Sequence, residues 1–301
     1  MKSSTNIYQI HYRAEQVPFL EPDFIPYDNA GDDDPLLEFN VFRKIQRSKK
    51  LKKGKLWGAL SWKFTKKTGM TGVELFDYIE KNAGYDVYYC NPHPEFEGIY
   101  HNLWLQGETA HPDFLTICGE VFKYADLPVK TLTSFHPARA FASTNYIIAT
   151  PVFWKSYIAF VENILEKVQA RASNKTLKMM YSNAADAKGV HAGANYLPFI
   201  VERLFSIFLM SPEGRSLRAL KYPLPALEAK LNVHQRQLRE MKEVACAQHS
   251  AWMASCWVNY RNLYFAQQHG KVWLGKYLKT INPTSLDFVD FPFFASESIA
   301  K

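Results

Sequence analysis

The chain has 301 residues, 47% of them hydrophobic and 22% charged, which fits one large folded domain or two small ones and excludes a disordered polymer. Its formal net charge is +7, with much of the excess in residues 43–67, a balance suited to phosphorylated substrates, nucleic acid or an anionic membrane. No zinc-finger or RNA-recognition pattern accompanies that charge, so nucleic acid ranks below a nucleotide-sugar or a membrane surface.

Residues 1–12 lack the apolar core of a signal peptide. Residues 6–12 are β-prone and alternate, and are predicted as a first strand. Residues 18–35 form a proline-punctuated loop. Apolar positions Leu37, Val41, Phe42 and Ile45 predict a helix over 36–48. A buried strand is expected over 55–64, and a helix from Thr71 to about Asn82, with Glu74 placed for a capping box. Residues 86–90 form the next strand, broken by Asn91-Pro92-His93-Pro94, and 99–106 fit neither period cleanly. A helix over 111–124 opens at Pro112, a strand covers 145–149, and Pro151 starts a long helix over 152–172. Residues 173–195 are polar and rich in Gly, Ala and Asn, and are expected as a lid-like loop. A buried helix spans 196–210, a charged helical pattern runs over 224–279, and 282–301 are expected to pack loosely.

Strands alternating with helices in the first half predict an α/β sheet with helices on its faces. The expected organisation is a sheet domain over 1–215 and a helical extension over 216–301. Cys90, Cys118, Cys246 and Cys256 form no CxxC pair, which argues against a zinc ribbon or a disulfide framework and for reduced thiols in the cytoplasm. No run of about 18 apolar residues is present; the nearest, 196–210, is interrupted by Glu202 and Arg203. The 15% aromatic content fits either a groove that stacks rings on sugars or bases or an aromatic-rich core.

The stretch Pro26-Tyr27-Asp28-Asn29-Ala30-Gly31-Asp32-Asp33-Asp34-Pro35 places four carboxylates, an amide and a glycine between two prolines. Such a loop repels itself until a cation neutralises it. The two sources are a divalent metal and the basic run beginning at Arg43, Lys44 and Arg47. An Asp-rich turn before a helix is the plainer reading of the same residues.

Taken in order, several segments resemble a family of bacterial capsule and O-antigen glycosyltransferases with a nucleotide-diphosphosugar-transferase (GT-A-like) fold. Residues 26–32 resemble that family's Asp-Asn-Thr-Gly-Asp loop. Glu38, in the helix over 36–45, stands where the family has a helix glutamate. Residues 57–64 resemble a strand ending in His-Tyr-Arg-Arg, here Ser61-Trp62-Lys63-Phe64, so the histidine is absent. Residues 145–149 with Phe153-Trp154, and Glu202-Arg203-Leu204-Phe205, complete the set, which covers residues 6–210. The resemblance implies a GT-A-like mixed sheet flanked by helices, with a helical C-terminal extension. It also implies transfer of a sugar from a nucleotide-sugar donor to a surface glycan or lipid-linked glycan acceptor, with Mn2+ or Mg2+ as the candidate cofactor.

That chemistry assigns candidate roles. Asp28, Asn29 and Asp32 would hold the donor nucleotide or its metal, and Glu38 a ribose. Lys63, at a strand end, would contact phosphate, Asn91 and His93 would line the sugar pocket, and Arg203 would reach a diphosphate. Glu108 is the first choice of general base and His111 its rival. Each also has a structural reading: Asx turns for the loop, a helix cap for Glu108, a solvated strand end for Lys63, an ion pair for Glu202 and Arg203. His93, His101, His111 and His136 match no metal-ligand spacing. Residues 49–55 would attract an anionic membrane surface, making the protein peripheral at its inner face. Leu227, Leu231, Leu238 and Met241 share one helix side, for a homodimer or for the chain's own core. A non-catalytic binding or scaffold protein of the same fold, and a basic surface-binding protein, are the alternatives.

Overall fold

The computed structural model describes residues 5–48, 55–184, 193–268 and 288–289. Strand β1 (Thr5–His11) leads through a 3-10 turn to β2 (Ile25–Asp28), and α1 (Glu38–Arg47) then runs back to β3 (Leu56–Ser61). Helices α2 (Phe64–Thr68) and α3 (Gly72–Lys81) precede β4 (Val87–Tyr89). After it come α4 (Pro94–Ile99), α5 (Leu103–Ala110) and α6 (Phe114–Tyr124). Strand β5 (Ile147–Ala149) is followed by α7 (Pro151–Arg171), α8 (Asn174–Met180), α9 (Tyr196–Met210) and α10 (Pro212–Arg215). Strand β6 (Ala219–Lys221) is followed by α11 (Pro225–Glu228), α12 (Val233–Gln248) and α13 (Ala251–Gln268).

The strands form one six-stranded mixed sheet in the order β2-β1-β3-β5-β4-β6. Every pairing is parallel except those of β5, which runs antiparallel to both neighbours. Successive side chains therefore alternate between two cores. Trp57, Ala59, Val87, Tyr89, Ile147 and Ala149 face the larger one, built with α1, α6, α7 and α9. Ile7, Leu60, Tyr88 and Ile148 face the other, which Phe24, Phe64, Leu75 and Tyr222 complete. Trp57 stacks on Trp154 with ring centres 4.3 Å apart, and Trp154 Nε1 donates to Trp57 O over 2.8 Å. Gly58 is the one residue type that fits where β3 meets β5, since a Cβ there would lie 2.4 Å from Ile147 O.

Several expectations change. Strand β2 lies inside the expected proline loop; it pairs through one side only, so Pro26 is tolerated at the sheet edge. Strand β6 falls within the segment expected as purely helical, and pairs in parallel with β4. The ambiguous residues 99–106 lie across the end of α4 and the start of α5. Helix α8, capped by Ser173 accepting from Thr176 N, occupies part of the expected lid; residues 185–192 of that lid lie outside the described residues. The charged tail divides at Asn232, which caps α12 in a box with Gln235, and at His249, whose left-handed backbone (φ 49°) ends it. The rest of that tail, residues 269–279, and most of the segment expected to pack loosely lie outside the described residues.

Helices α12 and α13 pack on α4 and α5 through Ile99, Leu103, Leu238, Trp257 and Phe265. The leucine stripe belongs to the chain's own cores: Leu231 and Leu238 are buried, and Met241 and Leu227 pack beside them. Buried Lys242 donates to Glu97 O (2.9 Å) and Tyr100 O (2.5 Å) at the carboxyl end of α4, with its ammonium 4.2 Å from the centre of the Phe141 ring. Among the described residues no helix is long and apolar enough to cross a membrane.

Candidate functional site

In open α/β sheets ligands bind outside the carboxyl ends of the parallel strands, at the point where the strand order reverses. Here that point lies between β1 and β3, because the chain steps from β1 to β2 on one side and returns to β3 on the other. His11 ends β1, Asp28 ends β2 and is in register with it, and Ser61 ends β3 opposite Ile10. Since β5 is antiparallel to β3, residues 144–146 enter from the same edge; continuing the Gly58–Ile148 register brings Asn145 level with Ser61.

The edge is built from residues whose polar atoms point into it unmet. Asn29 Nδ2, Thr144 Oγ1, Asn145 Oδ1 and Tyr146 Oη are buried without a hydrogen bond of normal geometry. Asn29 Nδ2 faces Asp32, and Tyr146 Oη faces Ser61, in neither case close and straight enough to count as one. His11 Nδ1 is 3.9 Å from Asp28 Oδ1, again without a hydrogen bond. Buried polar groups are almost always paired, and each unpaired one costs about 1–3 kcal/mol, so several on one sheet edge require a reason. A polar ligand seated there is such a reason.

The acidic loop is neutralised from within. Asp32 accepts from Lys44 Nζ (2.9 Å) and from Asn40 Nδ2 (3.1 Å). Burial pushes the Asp32 carboxyl up, and these hydrogen bonds outweigh it and hold it below the usual range. Asp28 accepts from Ala30 N and Asp34 from Leu36 N, the Asx turns that the composition allows. The basic run thus supplies the cation, through Lys44. The carboxylates do not fit a ready-made divalent-ion cage, because each of these three is engaged by the chain itself.

Four charged side chains close the rest of the edge. Glu38, in the first turn of α1, accepts from Asn145 Nδ2 over 3.2 Å. Lys63 follows β3, and burial together with its neighbours Lys67 and Lys66 lowers its pKa. Lys67 holds its ammonium 6.0 Å from the centre of the Tyr146 ring. Glu202, on α9, makes no hydrogen bond or ion pair with the described residues. Part of Glu202 reaches solvent, yet its carboxyl is surrounded by protein. That burial pushes its pKa up to about 7; Arg203 and Lys67 oppose the shift and Glu38 adds to it. The Tyr146 hydroxyl is likewise held well above its ordinary pKa, by burial first and then by Glu38, Cys90 and Glu202.

Of the residues singled out in the sequence, Asp28, Asn29, Asp32, Glu38 and Lys63 gather at this edge. Asn91 follows β4 and is buried, donating to Glu97 Oε1 (2.7 Å) and accepting from Ser143 Oγ (2.6 Å), so it organises the strand end. His93 stacks on Phe96 and lies 3.3 Å from Glu95, at the opening of α4. Three residues need correction. Arg203 is buried and donates to Leu103 O, Phe199 O and Gln106 Oε1; its guanidinium ties α9 to α5 and does not reach a diphosphate. Glu108 accepts from Leu115 N over 2.7 Å and caps α6, with burial raising its pKa. His111 stacks on Phe199 at 4.1 Å, and its Nδ1 lies 3.0 Å from Ala184 O, in the packing of α5 against α9.

Sequence reasoning missed Asn145, Tyr146, Lys67 and the separate role of Glu202. The signal for Glu202 was present: consecutive helical residues point about 100° apart, so a charged pair within an apolar helix faces two environments. Two hollows are present, the second bordered by Asp34 at the end of the acidic loop. One of about 460 Å³ lies beside α8, and one of about 320 Å³ lies between Leu36, α7 and α8.

Comparison with known proteins adds nothing to this assignment: no family model, no curated protein and no solved structure matches the chain.

Proposed function

We propose that this protein is a glycosyltransferase that holds a nucleotide-sugar at the carboxyl edge of its sheet and passes the sugar to a glycan acceptor. The observation that carries the reading is the set of buried, unmet polar atoms at Asn29, Thr144, Asn145 and Tyr146, gathered where the strand order reverses. The mixed α/β sheet agrees with the GT-A-like architecture that the motif order implies. Asn29 and Asn145 offer amides of the kind that read a nucleotide or a sugar hydroxyl.

Transfer requires two electrostatic services. The leaving diphosphate gathers negative charge, and Lys63 and Lys67 are the cations at this edge placed to stabilise it. The acceptor hydroxyl must lose a proton as it attacks, and Glu202, with a pKa near neutrality, takes it; the protonated carboxyl then releases it to water. Glu202 therefore replaces Glu108 in this role. A divalent Mn2+ or Mg2+ would supply further charge stabilisation when it arrives with the donor diphosphate. The carboxylate of the loop left unengaged for it among the described residues is Asp33, on the exposed side. The reading places the protein in the cytoplasm, where nucleotide-sugars are held.

One observation favours a second reading, a nucleotide-sugar-binding protein without turnover: the acidic loop is already neutralised by Lys44. Thermal melting in the presence of UDP, GDP, CMP or TDP, each with and without Mn2+, separates these readings from the rest. A bound native state is stabilised by mass action, by about 2.7 kcal/mol at a hundred times Kd. A shift with one nucleotide, followed by release of that nucleotide from its sugar conjugate in the presence of a glycan acceptor, is the result expected of the transferase. A shift without release fits the binding protein. No shift with any of the four overturns both.

A further inference from the structure

Beside this edge the β1–β2 connection and the start of α2 bring exposed apolar side chains against lysines. Phe19 is 62% exposed and Val17 46%, and both lie on the 3-10 turn Ala14–Phe19, which buries none of its residues. Phe19 leans on Trp62 with ring centres 5.9 Å apart, and Lys63 Nζ lies 5.1 Å from the centre of the Trp62 ring. Exposed Lys66 follows on α2, and exposed Arg13 precedes the turn.

The cations here differ from the neighbouring ones. Arg43 and Arg47 are both paired with Glu162, and Lys44 with Asp32. Arg13, Lys63 and Lys66 have no ion-pair partner among the described residues; burial first, and then Lys67 and Lys66, lower the Lys63 pKa. An apolar tip whose flanking cations Arg13, Lys63 and Lys66 outnumber the one exposed carboxylate on the turn, Glu15, matches a surface that is apolar a few ångströms down and negatively charged at its face, which is the profile of an anionic bilayer. Val17 and Pro18 are aliphatic and stack no bases, so the patch suits lipid better than a nucleic acid strand.

We propose that Val17, Phe19 and Trp62, framed by Arg13, Lys63 and Lys66, form a docking surface for an anionic lipid bilayer. The turn inserts at the headgroup level. Residues 49–54, expected to attract a membrane, lie outside the described residues, and this surface does not require them. It shares Lys63 with the proposed donor site, and its test turns on Phe19 and Lys66, which lie outside that site, so it stands or falls whether or not the chain transfers sugar.

The test is co-flotation of the full chain with vesicles of phosphatidylcholine alone or mixed with phosphatidylglycerol. Binding is expected to the mixed vesicles only, and to weaken as salt screens the charges. Phe19→Ser and Lys66→Glu should each lower the partition coefficient about tenfold. Lys175→Glu, on exposed α8 and equal in charge change to Lys66→Glu, should leave it within about twofold. Unchanged thermal melting of the variants shows that the fold is intact, as the exposure of these positions predicts. Quenching of tryptophan fluorescence by bromine-labelled lipid, lost in Trp62→Leu, gives an independent readout. Three results would each overturn the proposal: no binding to the mixed vesicles, equal weakening by Lys175→Glu, or binding that Phe19→Ser leaves intact and that heparin abolishes.

Discussion

Two regions of this molecule bury polar groups, and they differ in how fully the chain meets them. Where α12 docks on α4, charge is met by charge. Glu97 receives Lys221 at 2.6 Å and faces Arg239 at 3.6 Å, Arg239 also grips Glu228 at 2.6 Å, and Lys242 is bonded to two carbonyls. At the carboxyl edge of the sheet, Asn29, Thr144, Asn145 and Tyr146 are buried with polar atoms unmet, and Glu202 has no hydrogen-bond or ion-pair partner among the described residues. A satisfied network contributes to a unique structure, whereas an unsatisfied one is tolerated when something other than the chain completes it. The contrast is one of degree, since His101 Nε2, Arg139 Nε and Arg261 Nε beside α4, α12 and α13 are also buried without a hydrogen bond, although each of those residues has other partners.

Substitutions can break that contrast from either side. The largest effect is expected at Glu202. Glu202→Gln should lower turnover by about a hundred- to ten-thousand-fold while the nucleotide-induced melting shift persists. It should also change the pH profile of stability. The Glu202 carboxyl has a folded pKa of about 7 against an ordinary value of 4.5, so its stabilising contribution is present below 4.5 and is lost as pH rises to about 7. Denaturant melts across that window should flatten in the variant.

Next in size is Lys242→Met, which leaves the carbonyls of Glu97 and Tyr100 without their donor. A loss of about 2–4 kcal/mol in denaturant unfolding is expected. Burial lowers the Lys242 pKa from 10.5 to about 7. The unfolded chain therefore binds the extra proton between those values, and stability rises with pH across that range. The variant should lose the rise, and it should leave nucleotide binding nearly unchanged.

A smaller effect of opposite sign is expected at the edge. Tyr146→Phe removes a buried hydroxyl that faces Ser61 without a hydrogen bond of normal geometry, and should raise stability by about 0.5–1 kcal/mol while weakening nucleotide binding in the same melting assay. If instead it destabilises the protein as Lys242→Met does, the two regions are alike and the contrast fails. The smallest effect is expected at Lys44→Gln, which opens a partly exposed ion pair with Asp32 and should cost about 0.2–1 kcal/mol in thermal melting.

Much of the fold was legible where one local rule acted alone. The Thr71–Glu74 capping box predicted for α3 is present, with Thr71 accepting from Glu74 N and Glu74 accepting from Thr71 N. The alternation over residues 6–12 corresponds to β1, and the apolar run over 55–64 to β3. Rules in competition hid the rest. Pro26 argues against a strand, and an edge position removes the objection. Strand β6 has three residues, too few to show a period. At the site, the acidic loop and Glu38 were visible because composition marks them. Asn145 and Tyr146 were not, since an asparagine and a tyrosine before a strand carry no pattern. Only the sheet register shows that they face Ser61. Adjacent opposite charges at 202 and 203 read as a pair, and the helix turns them apart.

Strand β6 has a practical consequence for anyone trimming the gene. A truncation placed at residue 215, which the change from α/β to helical character invites, removes the partner of β4 along with α11, α12 and α13. The shortened product would show a bare row of backbone amides and carbonyls beside an uncovered apolar surface from α4 and α5. It would also strand Glu97, a buried carboxylate that loses Lys221 and Arg239 together and keeps only the Asn91 amide. Such a fragment should aggregate on expression, so the segment after 215, which supplies one of the six strands, is part of the sheet and not an appendage to it.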